Sequence, residues 1–197
     1  MRTMLILASQ SPRRAELLKQ IGISFKQMNV DVDESVLNNE VPEVYVRRLA
    51  QQKSLAGWND SAQQWPVLGA DTVVVINEQI LGKPVDQADA SRMLNLLSGK
   101  VHSVLTSVAI TYPCDSGHKQ KSLVVESRVT FGPLSQAKID TYWQSGEPRD
   151  KAGSFAIQGL GGQFVKHING SYSAIVGLPL YETRQLLNDI GFLDYEF

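Results

Sequence analysis

The 197-residue chain has one cysteine, Cys114, so no disulfide can close within it. Pro113 and Asp115 to Gly117 surround that residue with turn formers, and it carries no chemistry in this reading. A lone cysteine fits a reducing cytoplasm, which is the location expected. Charge of one sign is missing as well. Nineteen Lys and Arg stand against 20 Asp and Glu, for a formal net charge of −1. No global basic field draws the chain to nucleic acid, although a local basic pocket stays open. No stretch approaches the ~20 apolar residues of a membrane span. Ser9 and Gln10 interrupt the N-terminal apolar run too early for a signal peptide. Neither nucleic acid nor membrane is expected as a partner. Internal repeats, low-complexity tracts and evident linkers are also absent. What remains is an ordinary globular composition, 43% apolar, long enough for one large domain or two small lobes.

The rest of the chain is organised around Leu5 to Leu18. Met4 to Ala8 reads as a buried strand. Ser11 is a good N-cap and Pro12 fits the first helical position. Leu17, Leu18 and Ile21 form a helical face, and Gly22 stops the helix. Arg13 and Arg14 then fall in the first turn, where the positive end of the helix dipole disfavours cations. A bound polyanion would remove that conflict, using the Ser9 and Ser11 hydroxyls and the backbone N–H groups of the helix start. Two solvated arginines on a plain strand–helix unit are the bland alternative.

Further along, Phe25 to Val32 alternates as a second strand and runs into Asp31-Val32-Asp33-Glu34-Ser35. Three carboxylates in four residues suit either a divalent cation or a solvated loop. Pro42 to Trp58 reads as a helix with Val46, Leu49 and Ala50 inward. Lys53 lies on that stripe, either snorkelling to its edge or reaching an anion within the fold. Val67 to Ile76 is a near-continuous apolar strand, as expected of one covered on both faces. Asp71 and Thr72 break it. A carboxylate there must be paired, hydrogen-bonded or metal-bound. Asn77-Glu78 reads as a hairpin turn, followed by Gln79 to Leu81 and Gly82-Lys83-Pro84. Asp86 caps a helix with Ala90, Met93, Leu94 and Leu97 inward. Val101 to Tyr112 and Ser122 to Phe131 are long strands, and His102, with no second histidine at metal spacing, is read as structural. Ser135 caps a helix through Ser145 with Ile139, Tyr142 and Trp143 inward. Four glycines between 153 and 162 imply close backbone approach, to a ligand or to a packed strand. Ser171 to Leu178 is open between strand and short helix, and a last helix follows Pro179.

Several of these segments together resemble the Maf family of nucleotide pyrophosphatases. The matching elements are Ser-x-Ser-Pro-Arg-Arg-x-Glu-Leu-Leu from Ser9, Asp33-Glu34, Arg-Leu-Ala-x-x-Lys ending at Lys53, Gly-Ala-Asp-Thr at Gly69 to Thr72, and Gly82-Lys83-Pro84. Ser-Gly-x-x-His at His102 and Asp-Lys-Ala-Gly-x-x-x-Ile-Gln-Gly from Asp150 complete the set. They run in family order over nearly the whole chain. The resemblance implies one domain over 1–197 with the elongated α/β fold of the inosine-triphosphate pyrophosphatase type. That means a mixed sheet in two lobes with flanking helices, a cleft between the lobes, and a homodimer. The implied reaction is hydrolysis of a nucleoside triphosphate to the monophosphate and pyrophosphate, as nucleotide-pool housecleaning. Glu34, Lys53, Asp71 and Lys83 are the expected catalytic residues, with Glu34 and Asp71 holding Mg²⁺ or Mn²⁺ and Asp71 either base or ligand. Ser9, Arg13, Arg14, Thr72 and Gln158 are the expected substrate contacts. The trio Arg13, Thr72 and Gln158 resembles the dTTP/UTP group. A 7-methyl-GTP or non-standard purine triphosphate pyrophosphatase is the alternative on the same fold. A nucleotide-binding regulator of septum formation is the alternative from another class.

Overall fold

The structure, a computed structural model, describes residues 4–192. Its strands are β1 (Leu5–Ala8), β2 (Phe25–Met28), β3 (Val67–Ile76), β4 (Gln79–Leu81), β5 (Val101–Cys114), β6 (Gly117–Phe131) and β7 (Val165–Asn169). Its helices are α1 (Pro12–Gln20), α2 (Pro42–Asn59), α3 (Gln87–Leu97), α4 (Gln136–Gln144), α5 (Tyr172–Val176) and α6 (Leu180–Asp189). The strands form one seven-stranded sheet in the order β2-β1-β3-β5-β6-β7, with β4 also on β3. β1 pairs parallel with β2 and with β3, whereas β4 on β3 and β7 on β6 are antiparallel, so the expected mixed α/β fold forms. No helix among the described residues is long and apolar enough to cross a membrane.

The chain divides into two compact units. The first comprises the residues up to Asp71, Thr106–Val125 and the residues from Gly177 on, and the second comprises Thr72–Leu105 and Glu126–Val176. In the first unit, β1 and the Val67–Asp71 half of β3 are buried throughout. Ile6, Ala8, Trp58 and Val67 form a cluster on which Met28, Val30 and Trp65 pack. α2 lies very close to this sheet. A Cβ at Gly69 would stand 2.4 Å from the Ser54 nitrogen and 2.5 Å from the Ala50 oxygen, both helix backbone. Only glycine permits that approach.

β2 is shorter than its alternating pattern suggests. Past Met28, Val30 and Val32 stay half-buried while Asn29, Asp31 and Asp33 face solvent, but no ladder continues. Val30 is held by apolar packing against the Trp58 cluster, so the pattern reports burial without pairing. Ser11 occupies the N-cap position of α1 in extended conformation but makes no side-chain cap bond. Its own N–H instead donates to Ser9 Oγ at 3.2 Å.

The second unit has its own core, including Val74, Leu81, Met93, Leu94, Leu97, Phe131, Tyr142 and Phe155. Asn77 and Glu78 both take positive φ, 50° and 63°, which is the two-residue turn matched to strand twist. Asp86 caps α3 by accepting from the Asp89 N–H at 2.8 Å. Ser135 caps α4 by accepting from the Lys138 N–H at 3.4 Å. β7 is unanticipated by the sequence, and the segment open between strand and helix is helical, as α5.

Candidate active site

The carboxyl edge of the parallel β1–β2 and β1–β3 ladders, together with α1 and α2, supplies the site's residues. β1 leaves its ladder with β3 at Ala8, opposite Gly69, and the chain turns at once into Ser9. β3 continues two residues to Asp71. β2 ends at Met28 and feeds the irregular stretch that carries Glu34. In open α/β sheets this carboxyl edge of parallel strands is where ligands bind.

Lys53 joins the two acids. Its ammonium stands 2.6 Å from an Asp71 oxygen and 2.6 Å from a Glu34 oxygen. The Lys53 and Asp71 side chains are each 11% exposed, that of Glu34 48%. The sequence left Lys53 open between snorkelling and meeting an anion, and its partner within this unit is the carboxylate pair. Asp71 thus sits in its apolar strand as a paired group, and the pairing offsets part of the penalty of burying a carboxylate.

Arg14 completes the basic lining. Its Nη1 donates to Ser9 Oγ at 3.0 Å and its Nε to the Gly177 carbonyl at 2.9 Å. Gln27 Nε2 donates to the Ser9 carbonyl at 2.7 Å, fixing the turn after β1. Burial lowers the Arg14 pKa, the negative charge of Asp71 opposes that, Arg13 adds to the lowering, and Glu34 opposes it. Ser9, Arg13, Arg14, Glu34, Lys53 and Asp71 therefore share one electrostatic neighbourhood in the first unit. Among the described residues, no group of three or more His, Cys, Asp and Glu side chains is arranged to hold a metal.

The loop bearing Glu34 is tied to α2. The Tyr45 hydroxyl donates to the Glu34 carbonyl at 2.8 Å. Arg48 Nη2 donates to the Ser35 carbonyl at 2.9 Å. Arg48 also grips Glu40 through two bonds, Nε to Oε1 at 2.6 Å and Nη2 to Oε2 at 2.7 Å. That fork is the main reason the Glu40 carboxyl titrates below its usual range. Burial, then the charges of Asp71 and Glu34, push the Tyr45 hydroxyl up to about 12, so it stays a donor at neutral pH. The sequence reading missed Tyr45, Glu40 and Arg48. The available signal was Arg48 itself, the first residue of the motif that ends in Lys53.

Thr72, Lys83 and Gln158 belong to the second unit. Thr72 follows Asp71 along β3, so the two side chains leave opposite faces of the strand. Lys83 and Gln158 are exposed. The carbonyl of Gly82 accepts from the Gly153 N–H at 3.0 Å, tying the Lys83 loop to the glycine-rich segment. Those glycines give way to a carboxylate. Glu147 accepts from Tyr142 Oη at 2.7 Å and from the N–H groups of Leu160 and Gly161, each at 2.9 Å. A Cβ at Gly159 would stand 2.1 Å from a Glu147 oxygen. Burial works against ionisation of Glu147, but the Gly161 N–H, the Tyr142 hydroxyl and the Leu160 N–H outweigh it and hold its pKa low.

A family model described as Maf-like protein matches residues 4–190. The chain belongs to the Maf family. A relative from Pseudoalteromonas atlantica, named dTTP/UTP pyrophosphatase, is 61% identical over 188 residues, covering 94% of this chain and 96% of its own. One of the same name from Shewanella oneidensis is 52% identical over 197 residues, covering 96% and 99%. Among solved structures, a nucleoside-triphosphatase / dITP/XTP pyrophosphatase from Mycobacterium abscessus aligns over 95% of this chain and 94% of its own, at 10% identity and a TM-score of 0.46. At that distance the structural likeness does not bear on activity. This Maf chain keeps Ser9, Arg13, Arg14, Glu34, Lys53 and Asp71 in its first unit and Thr72, Lys83 and Gln158 in its second.

Proposed function

We propose that the protein hydrolyses nucleoside triphosphates, dTTP and UTP foremost, to the monophosphate and pyrophosphate. The observation that carries the reading is the pair of carboxylates, Glu34 and Asp71, gathered on the Lys53 ammonium at 2.6 Å each, beside Arg14 and Ser9. Hydrolysis of a phosphoanhydride needs neutralised charge and a positioned water more than covalent chemistry. The relatives from P. atlantica and S. oneidensis carry the name dTTP/UTP pyrophosphatase.

The same pair fits a divalent cation. Both donors are hard oxygens, and they already converge on one positive charge. Mg²⁺ binds through one or two carboxylates and fills its shell with substrate phosphates and water. Glu34 and Asp71 would hold Mg²⁺ or Mn²⁺, which when bound neutralises phosphate oxygens and polarises the reacting group. In the proposed reaction an Asp71 oxygen takes the proton of the attacking water. The water oxygen bonds to the α-phosphorus as the α–β bridge breaks, and pyrophosphate leaves with the bridging electron pair. The Lys53 ammonium, the Arg14 guanidinium and the Ser9 hydroxyl bind phosphate oxygens. Lys83 is assigned to phosphate, and Arg13, Thr72 and Gln158 to the nucleotide's identity. A homodimer is proposed as the assembled form.

Purified protein with dTTP, UTP, 7-methyl-GTP and ITP tests the reading. Pyrophosphate release is expected to be fastest on dTTP and UTP and to vanish in excess EDTA. Preference for 7-methyl-GTP or ITP moves the substrate to the other group, and absence of release from all four leaves a binding protein.

A further inference from the structure

Glu34 sits where no regular structure holds it. Between β2 and α2 the chain forms neither ladder nor helix, and the Glu34 side chain is 48% exposed. An acid on such a loop loses conformational freedom to reach Lys53, and something must offset that loss. α2 supplies it. Tyr45 and Arg48, three apart on the helix, are face neighbours, and Lys53, eight beyond Tyr45, lies on the other flank of Tyr45 about two turns further along. Tyr45 Oη and Arg48 Nη2 donate to the consecutive carbonyls of Glu34 and Ser35, at 2.8 and 2.9 Å. At the loop's far end, Glu40 receives both arms of Arg48 and also accepts from the Leu37 N–H at 3.0 Å. The Arg48 guanidinium lies 5.4 Å from the centre of the Tyr45 ring, so each steadies the other. The Glu40 and Arg48 side chains are only 4% and 18% exposed, unlike an ordinary surface pair.

We propose that Arg48, with Glu40 and Tyr45, is a positioning clamp that delivers the Glu34 carboxylate to Lys53 and Asp71. The inference rests on the reading of Glu34 given under the proposed function. The geometry demands the guanidinium itself. Its planar fork serves the Glu40 carboxylate and the Ser35 carbonyl together, which one ammonium does poorly.

A double-mutant cycle on dTTP turnover tests the clamp. Arg48→Gln is expected to lower kcat/KM about tenfold and Glu34→Gln about a hundredfold or more, the sizes seen for coupled polar groups and for a charged group at the reacting centre. The double variant is expected to match Glu34→Gln alone within about twofold, because a clamp has nothing to position once its acid is gone. Arg48→Lys should recover little of the loss. If Arg48→Gln unfolds, Tyr45→Phe replaces it. That change removes one hydroxyl, leaves the ring beneath Arg48, and should show a smaller loss that again disappears in the Glu34→Gln background. Multiplying losses, or an Arg48→Gln enzyme as fast as the wild type, would overturn the clamp and leave the proposed reaction standing. Full turnover by Glu34→Gln would overturn both.

Discussion

Asp71 is a carboxylate in a strand otherwise built of Val, Leu, Ile, Gly, Ala and Thr, and its oxygen lies 2.6 Å from Lys53 Nζ. Asp71→Asn keeps the shape and loses the proton acceptor. Turnover of dTTP should fall by about 10²–10⁴-fold, the typical worth of a general base. Circular dichroism should show the fold unchanged, and a variant retaining a third of wild-type kcat would make Asp71 a structural acid. Gln158 calls for a different readout. Thymine and uracil present an acceptor–donor–acceptor edge, which one amide can meet with a donor and an acceptor. Gln158→Glu can only accept, and leaves a base carbonyl facing like charge. The expected loss in kcat/KM is about 5- to 150-fold on dTTP and UTP, from roughly 1–3 kcal/mol for a polar group left unpaired. 7-Methyl-GTP should lose less or gain. Equal losses on all three substrates would move Gln158 from base selection to loop structure.

α2 is the element on which the site turns. It carries Tyr45 and Arg48 toward the Glu34 loop and Lys53 toward Asp71, and it sits close to β3 because Gly69 has no side chain. Gly69→Ala would drive a methyl into helix backbone, which cannot swing aside. The change should destabilise by about 1–3 kcal/mol, as overpacking does. It should also lower turnover beyond the loss of folded protein, since Lys53 moves with the helix. Thermal melts and kcat per folded molecule read the two effects separately. Elements fixed by local chemistry were legible in the sequence: α2 from its apolar period, β3 from its unbroken run, the turn at Asn77-Glu78, and α3 from Asp86 and its inward face. β7 was not, because Val-Lys-His-Ile-Asn is mostly polar and becomes a strand only by pairing with β6, far off in sequence. β2 was overextended for the converse reason, since Val30 packs on the Trp58 cluster and Val32 is half-buried, neither with a partner strand. The motifs pointed to Lys53 and Asp71, and the carboxylate pairing of Lys53 was not readable from them. The clamp was hidden because its two bonds to the Glu34 loop end on the Glu34 and Ser35 carbonyls, which leave no mark in residue identity, and Glu40 and Arg48 are eight apart with one outside the helix.

At the scale of the molecule, stability should depend on pH through His102. The ring is buried against Phe131 and Phe155, at centroid distances of 4.8 and 5.6 Å, and neither nitrogen has a hydrogen-bond partner among the described residues. Burial holds its pKa down to about 4. An unfolded histidine titrates near 6.5. Between those values the unfolded chain binds the extra proton. The stability is therefore fully present above about pH 6.5 and is lost as pH falls through about 4, by roughly 3 kcal/mol in all. Denaturant melts from pH 7 to 4 should show this slope in the wild type and a flatter one in His102→Leu, and identical slopes would place the acid sensitivity elsewhere. Attack at the α-phosphorus cuts the α–β bridge and places the water oxygen on the monophosphate. Hydrolysis of dTTP with Mg²⁺ in ¹⁸O-labelled water, followed by ³¹P NMR, reads that outcome. The expected products are pyrophosphate without label and dTMP carrying one labelled oxygen. dTDP with orthophosphate, or label in the pyrophosphate, would contradict attack at the α-phosphorus.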